Sequence, residues 1–306
     1  MAGPGATDGG PLRLDGGVAT GLRESGVPIA APWWTSGALL TRRRRRLLRR
    51  VHERHLAAGA QVVTANTFRC NLRALRAAGL GPAGQVRMVE LAVDAARGAR
   101  RPAGGADPLV AGSMAPVEDC YRPDLVPPDP QLRAEHRWLA RQLVRCGVDV
   151  VLVETMNCAR EARIALEQVL AAGGRAWVSL VCRSGGRLLS GEDLARVAVA
   201  LRADGAQAVL VNCTAPVPTE AGLARLRDAD TGPIGAYPNL EDRSGIPLWT
   251  HVDRPLPAAL APAQFGALTA RYRDEWGATI LGGCCGTSPA HLAAMRDALA
   301  TRTHPA

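Results

Sequence analysis

The sequence contains no lysine, so all 37 of its basic residues are arginine. Alanine and glycine are abundant as well, a bias that looks like GC-rich codon usage rather than selection for a phosphate-binding surface. The formal charge of +9 therefore says little about partners. The densest basic run, Arg42 to Arg46 with Arg49 and Arg50, falls where apolar residues recur at helical spacing, and it reads as a solvated helix face. No nucleic-acid partner is expected. Long apolar runs are also missing: none approaches the roughly 20 residues a membrane span needs. The first ten residues are Gly-rich and polar, without the charged start and apolar stretch of a secretory signal. A cytoplasmic protein is expected. Its eight cysteines in 306 residues are too sparse for a disulfide scaffold, so clustered ones are candidates for metal binding or catalysis.

Short apolar segments alternate with longer amphipathic ones along almost the whole chain. The predicted strands are 12–14, 61–64, 109–111, 148–153, 176–180, 208–211, 233–236 and 279–281. Predicted helices between them include 38–58, 131–146, 159–172 and 289–299, with Gly59, Gly147 and Gly173 at helix ends. Eight such units argue for a single-domain (β/α)8 TIM barrel over 11–300, flanked by tails at 1–10 and 301–306. An open doubly wound sheet is the alternative. Its dinucleotide turn requires G-x-G-x-x-G after the first strand, and Asp15-Gly16-Gly17-Val18-Ala19-Thr20 lacks that spacing.

A barrel assembles its active site at the carboxyl ends of its strands. In order, those ends carry Asp15, Asn66 with Thr67, Ser113, Glu154 with Thr155, Ser179, Asn212 with Cys213, Asn239, and Cys284 with Cys285. Helix capping explains many of these singly. Three cysteines share this rim. Strands six and eight flank one neighbour, which separates their ends by roughly 10 Å, a gap that side chains and Zn–S bonds of about 2.3 Å can close. Cys284 and Cys285 can share a metal only across a sharp turn, which the glycines of Gly282-Gly283-Cys284-Cys285-Gly286 permit. Three soft thiolates favour zinc and leave a fourth position open. Spacing alone leaves a second reading, in which all three are buried hydrophobes, with a vicinal disulfide between two of them.

These residues resemble the homocysteine S-methyltransferases, whose homocysteine-binding domain is a zinc-containing (β/α)8 barrel. The likeness runs through Leu14-Asp15-Gly16-Gly17, Val51-His52 with Ala58-Gly59-Ala60, Thr64-Ala65-Asn66-Thr67-Phe68, Val153-Glu154-Thr155, Val211-Asn212-Cys213, Tyr237-Pro238-Asn239 and Gly282 to Gly286. The resemblance implies zinc on Cys213, Cys284 and Cys285, with homocysteine as the fourth ligand. It implies that Asp15 and Glu154 hold the substrate ammonium, with helix capping and a rim salt bridge as their structural alternatives. Asn212, Gly16 and Gly17 are expected at the substrate, with backbone amides near Asp15 to Gly17, or near Ser113, receiving its carboxylate.

The donor is expected to be a small onium compound such as S-methylmethionine, S-adenosylmethionine or a betaine, because the chain leaves no room for the folate and cobalamin domains of larger relatives. Aromatic faces attract such cations, and Trp33, Trp34, Phe68 and Tyr121 follow early strands near the expected mouth. Gly112-Ser113-Met114-Ala115-Pro116 and Asn239-Leu240-Glu241-Asp242 depart from the stretches familiar in S-methylmethionine enzymes, which leaves the donor, and an acceptor other than homocysteine, open. The proline-rich connection from Tyr237 to Pro262, with Trp249 and His251, reads equally as a lid or a surface excursion. Two other classes remain: a zinc hydrolase, disfavoured by all-thiol ligation, and a non-catalytic zinc or thiol binder.

Overall fold

The computed structural model describes residues 10–100, 107–229, 232–246 and 256–301. Eight parallel strands form its sheet: β1 (Leu12–Arg13), β2 (Val62–Ala65), β3 (Leu109–Met114), β4 (Val150–Met156), β5 (Ala176–Leu180), β6 (Ala208–Asn212), β7 (Ile234–Tyr237) and β8 (Ile280–Leu281). Each neighbours the next in the chain, and β8 pairs with β1. A parallel bridge between Leu14 and Val62 joins the remaining edges, so the sheet closes into a barrel. The eight expected strands are all present, with shifted ends. β4 begins two residues later than the apolar pattern suggests and extends through Glu154 to Met156. A hairpin that periodicity did not signal pairs Cys182–Arg183 with Arg187–Leu188.

Alternation along the strands separates two cores. Val62, Ala111, Val150, Leu152, Trp177, Ala208, Leu210 and Ile280 fill the barrel interior. Val63, Val110, Val151, Val153, Val178, Val209 and Val211 point outward into the layer beneath the helices. Because side chains repeat every two residues, the inward parity continues upward to Thr64, Ser113, Glu154, Ser179, Asn212 and Tyr237. The polar floor of the mouth is therefore set by the same periodicity that packs the barrel.

The outer layer comprises α1 (Val18–Glu24), α2 (Arg42–Ala57), α3 (Leu72–Ala77), α4 (Pro82–Gly98), α5 (Asp129–Arg145), α6 (Ala159–Ala171), α7 (Leu194–Ala203), α8 (Pro216–Asp228), α9 (Pro262–Trp276) and α10 (Pro289–Ala300). The helix expected over 38–58 is split. A 3-10 turn occupies Trp34–Leu39, and α2 starts after Thr41, whose hydroxyl accepts from the Arg44 amide at 3.2 Å. Such an N-cap satisfies one of the amides orphaned at a helix start. On α2, Arg42, Arg43, Arg46, Arg49 and Arg50 are exposed, matching the solvated face expected of that run. No described helix is long and apolar enough to cross a membrane. The expected tails at 1–9 and 302–306 lie outside the described residues, as do Trp249 and His251.

Candidate metal centre

Cys213 follows β6 directly and adopts φ of 48°. That left-handed conformation is costly for a residue with a Cβ and marks a constrained position. β8 ends at Leu281, so the segment carrying the cysteine pair is not extended strand. The Cys284 amide donates to Pro238 O at 3.0 Å, and Cys285 O accepts from the Leu240 amide at 2.8 Å, which pins the turn to the connection after β7. The three glycines play two roles here. Only Gly286 has positive φ, at 77°. A Cβ on Gly282 would lie 2.5 Å from the Leu14 Cβ, and one on Gly283 would lie 2.2 Å from the Thr287 Cγ2, so these two provide space rather than unusual dihedrals.

The result brings the sulfurs of Cys213, Cys284 and Cys285 within 4.8 Å of one another, the one group of metal-ligand type among the described residues. Tetrahedral Zn–S bonds of about 2.3 Å put ligand sulfurs about 3.8 Å apart, inside that envelope. All eight cysteines are free thiols, which removes the vicinal disulfide. The sulfurs of Cys213 and Cys284 are 2.7 Å apart, and either can donate to the other. Hydrogen bonds from Cys213 and Cys284 hold the Cys285 thiol well below its ordinary range, while contacts with those neighbours and burial push Cys284 well above it.

Gly17 passes close beneath this turn: a Cβ there would stand 2.7 Å from Cys284 O. Gly17→Ala is expected to displace the Cys284 carbonyl and weaken metal retention by about 10- to 100-fold, measured by chelator competition. Unchanged retention would show that the turn tolerates the shift. The Gly17 amide already donates to Thr287 O at 3.3 Å, and a Cβ on Gly16 would meet that same oxygen at 3.1 Å. Both glycines therefore act by close packing, and Gly17 does not offer a free amide to a substrate carboxylate.

Two carboxylates face the mouth. Asp15 is buried and caps no helix; its Oδ2 accepts from the Thr64 amide at 2.9 Å and its Oδ1 from the Thr64 hydroxyl at 2.7 Å. The buried His55 approaches from behind, with Nδ1 3.9 Å from Oδ2. Among the described residues, Glu154 makes no salt bridge with an arginine. The Ser113 hydroxyl donates to Oε1 and the Tyr237 hydroxyl donates to Oε2 at 3.1 Å. Burial pushes Glu154 up to about 7 against the opposing effect of those two donors. Ser113 is thus engaged by a carboxylate of the protein itself. Sequence reasoning missed the grips of Thr64 and Tyr237; the inward parity of their strands was the available signal.

Asn212 is fully buried, and both its amide oxygen and its amide nitrogen are hydrogen-bonded. Its Oδ1 accepts from the Thr155 amide at 3.0 Å and the Ser179 hydroxyl at 2.7 Å, and its Nδ2 donates to the Thr155 hydroxyl at 2.8 Å. Thr155 sits at φ 61°, where the register between β4 and β5 breaks. Asn212 therefore fixes the bulge beside Glu154.

Of the four aromatic candidates, Tyr121 comes nearest the thiols, its hydroxyl donating to Cys213 O at 3.4 Å. Trp33 and Trp34 are partly buried against the core. The guanidinium of Arg69 lies over both Trp34 and Phe68, at 5.6 and 5.4 Å from their ring centres. The base of the long connection lies on the cysteine turn. Glu241 bridges Ala258, and Arg23 of α1 pairs with Glu241 at 3.2 Å. The rest of that connection, residues 247–255, lies outside the described residues.

A family model described as homocysteine S-methyltransferase matches residues 12–299. The homocysteine S-methyltransferase of Escherichia coli K12 is 31% identical, over 93% of this chain and 94% of its own length. A selenocysteine Se-methyltransferase of Brassica oleracea var. italica is 26% identical, over 96% of this chain and 90% of its own. The crystal structure of the homocysteine methyltransferase MmuM from Escherichia coli in its metallated form superposes with a TM-score of 0.80 at 30% identity, covering 95% of this chain and 96% of that one. The chain belongs to the homocysteine S-methyltransferase family.

Proposed function

We propose that this chain transfers a methyl group from a small onium donor to the sulfur of homocysteine, with zinc held by Cys213, Cys284 and Cys285. The observation that carries the reading is the convergence of three thiols within 4.8 Å at the carboxyl ends of β6 and β8. Zinc bound there supplies a soft Lewis acid that favours the thiolate form of an added thiol at neutral pH. Two residues orient the acceptor. Asp15, fixed by Thr64, and Glu154, fixed by Ser113 and Tyr237, present two carboxylates to its ammonium. Burial and Glu154 push the Tyr237 phenol well above its ordinary value, so it remains a donor to that carboxylate. The acceptor sulfur forms a bond to the methyl carbon as the bond from that carbon to the onium centre breaks. The electron pair returns to the donor, which leaves uncharged at that centre.

Methionine formation from homocysteine by zinc-loaded protein tests this, with S-methylmethionine, S-adenosylmethionine and glycine betaine supplied separately. Turnover with one of them is the expected result. Stoichiometric zinc without methionine from any donor would overturn homocysteine as the acceptor.

A further inference from the structure

Arg69 stands on the loop after β2, at the mouth of the barrel, and no motif of the sequence accounts for it. Its guanidinium lies across Trp34 and Phe68 and donates to a neutral carbonyl, Glu118 O, at 3.4 Å. Among the described residues it makes no ion pair, in a chain whose arginines elsewhere pair freely, as Arg73 does with Glu118 and Arg163 with Asp204. The same loop after β3 that accepts from Arg69 at Glu118 O reaches the thiols three residues on, where the Tyr121 hydroxyl donates to Cys213 O at 3.4 Å. Arg69 therefore belongs to the same cleft as the thiol cluster, in a layer farther out.

Two consequences follow from elementary electrostatics. A guanidinium covering Trp34 and Phe68 denies those ring faces to a second cation, so the onium centre of a donor does not settle there. The rings also hold the planar guanidinium in place, which lowers the entropy lost when it binds a planar anion through two parallel hydrogen bonds. The floor of the cleft holds two carboxylates, Asp15 and Glu154, and Arg69 sets a cation in its outer layer. A zwitterion entering that field turns its cationic end inward and its carboxylate outward.

We propose that Arg69 is the anchor for a carboxylate on the methyl donor and selects donors that carry one. The inference rests on the methyl-transfer reading above and deepens it by naming the donor class: an onium compound whose anionic group lies on the side away from the transferred methyl. The acceptor amino acid is assigned to Asp15 and Glu154 on the inner layer, so Arg69 acts on the donor.

The test compares S-methylmethionine with trimethylsulfonium, which has no carboxylate, in wild-type protein, Arg69→Met and Arg69→Lys. Arg69→Met is expected to raise the KM for S-methylmethionine about tenfold or more, to leave that for trimethylsulfonium within about twofold, and to leave the KM for homocysteine unchanged. Arg69→Lys, which keeps the charge without the planar fork, is expected to fall between. Equal losses with both donors, or a rise confined to homocysteine, would overturn the assignment. Calorimetric titration of S-methylmethionine without acceptor separates this inference from the reaction itself. If wild type binds it and Arg69→Met binds it about tenfold more weakly, the anchor stands even where no methionine forms, and the transfer reading alone falls. If wild type fails to bind it, or both proteins bind it equally, the anchor is wrong.

Discussion

Cys285→Ala is expected to reduce bound zinc from one per chain to a small fraction and to lower methyl transfer by at least about 10³-fold. Cys285 is one of the three thiols that meet within 4.8 Å, so its removal leaves two sulfurs where the site needs three. The fold should survive. The cysteine turn is held by backbone hydrogen bonds to Pro238 O and from Leu240 N, neither of which needs the sulfur. Metal analysis after dialysis, beside a thermal melt, separates the two effects. Full activity in the variant with zinc still bound would remove Cys285 from the site.

Glu154→Gln is expected to act in opposite directions on function and stability. Glu154 is fully buried and pushed up to about 7. An ammonium binds the carboxylate and not the acid, so wild-type KM for homocysteine should fall about tenfold between pH 6 and pH 8 as the group ionises. Glutamine cannot ionise. Its KM should be raised by about 10- to 100-fold at pH 8, with the component of the pH dependence that Glu154 contributes abolished. For stability the sign is reversed. A carboxyl whose folded pKa lies above its unfolded value binds extra protons in the native state, so the stability it contributes is complete below about pH 4.5 and is lost as pH rises through 7. The cost at pH 8 is on the order of 3 kcal/mol. Glutamine avoids that cost: its oxygen accepts from one of the two hydroxyls of Ser113 and Tyr237 and its NH2 donates to the other, so at pH 8 the variant should melt higher than wild type. A lower melting temperature there, or an unchanged pH profile, would contradict the account.

Much of this architecture was legible in the residues. The eight apolar runs marked all eight strands, and Gly59, Gly147 and Gly173 marked helix ends, where they adopt φ of 107°, 69° and 82°. The Asn-Cys and Gly-Gly-Cys-Cys-Gly segments marked the three thiols that meet. Other features depended on neighbours distant in sequence. Nothing local distinguishes Asn212 as the support of Thr155, 57 residues away, from a residue aimed at substrate. The aromatic residues were candidate contacts for a cationic donor, with simple packing as the alternative. Trp34 and Phe68 are instead covered by a cation from the loop that carries one of them, a contact that no periodicity encodes.

The sequence by itself determined the alternation that builds a barrel and the inward parity of its strands, because both follow from a side-chain period of two. It also determined which residue types, soft thiols and carboxylates, stand at the strand ends. Tertiary structure alone decided how those groups meet. Barrel closure through Leu14 and Val62 places the start of the chain beside β2, so that Thr64 can grip Asp15. The strained φ of Cys213 and the pinned turn at Cys284 and Cys285 bring three sulfurs to one point. The burial of Glu154 pushes its carboxyl up to about 7. Convergence, strain and desolvation are properties of packed neighbours, and a linear pattern of residue types does not contain them.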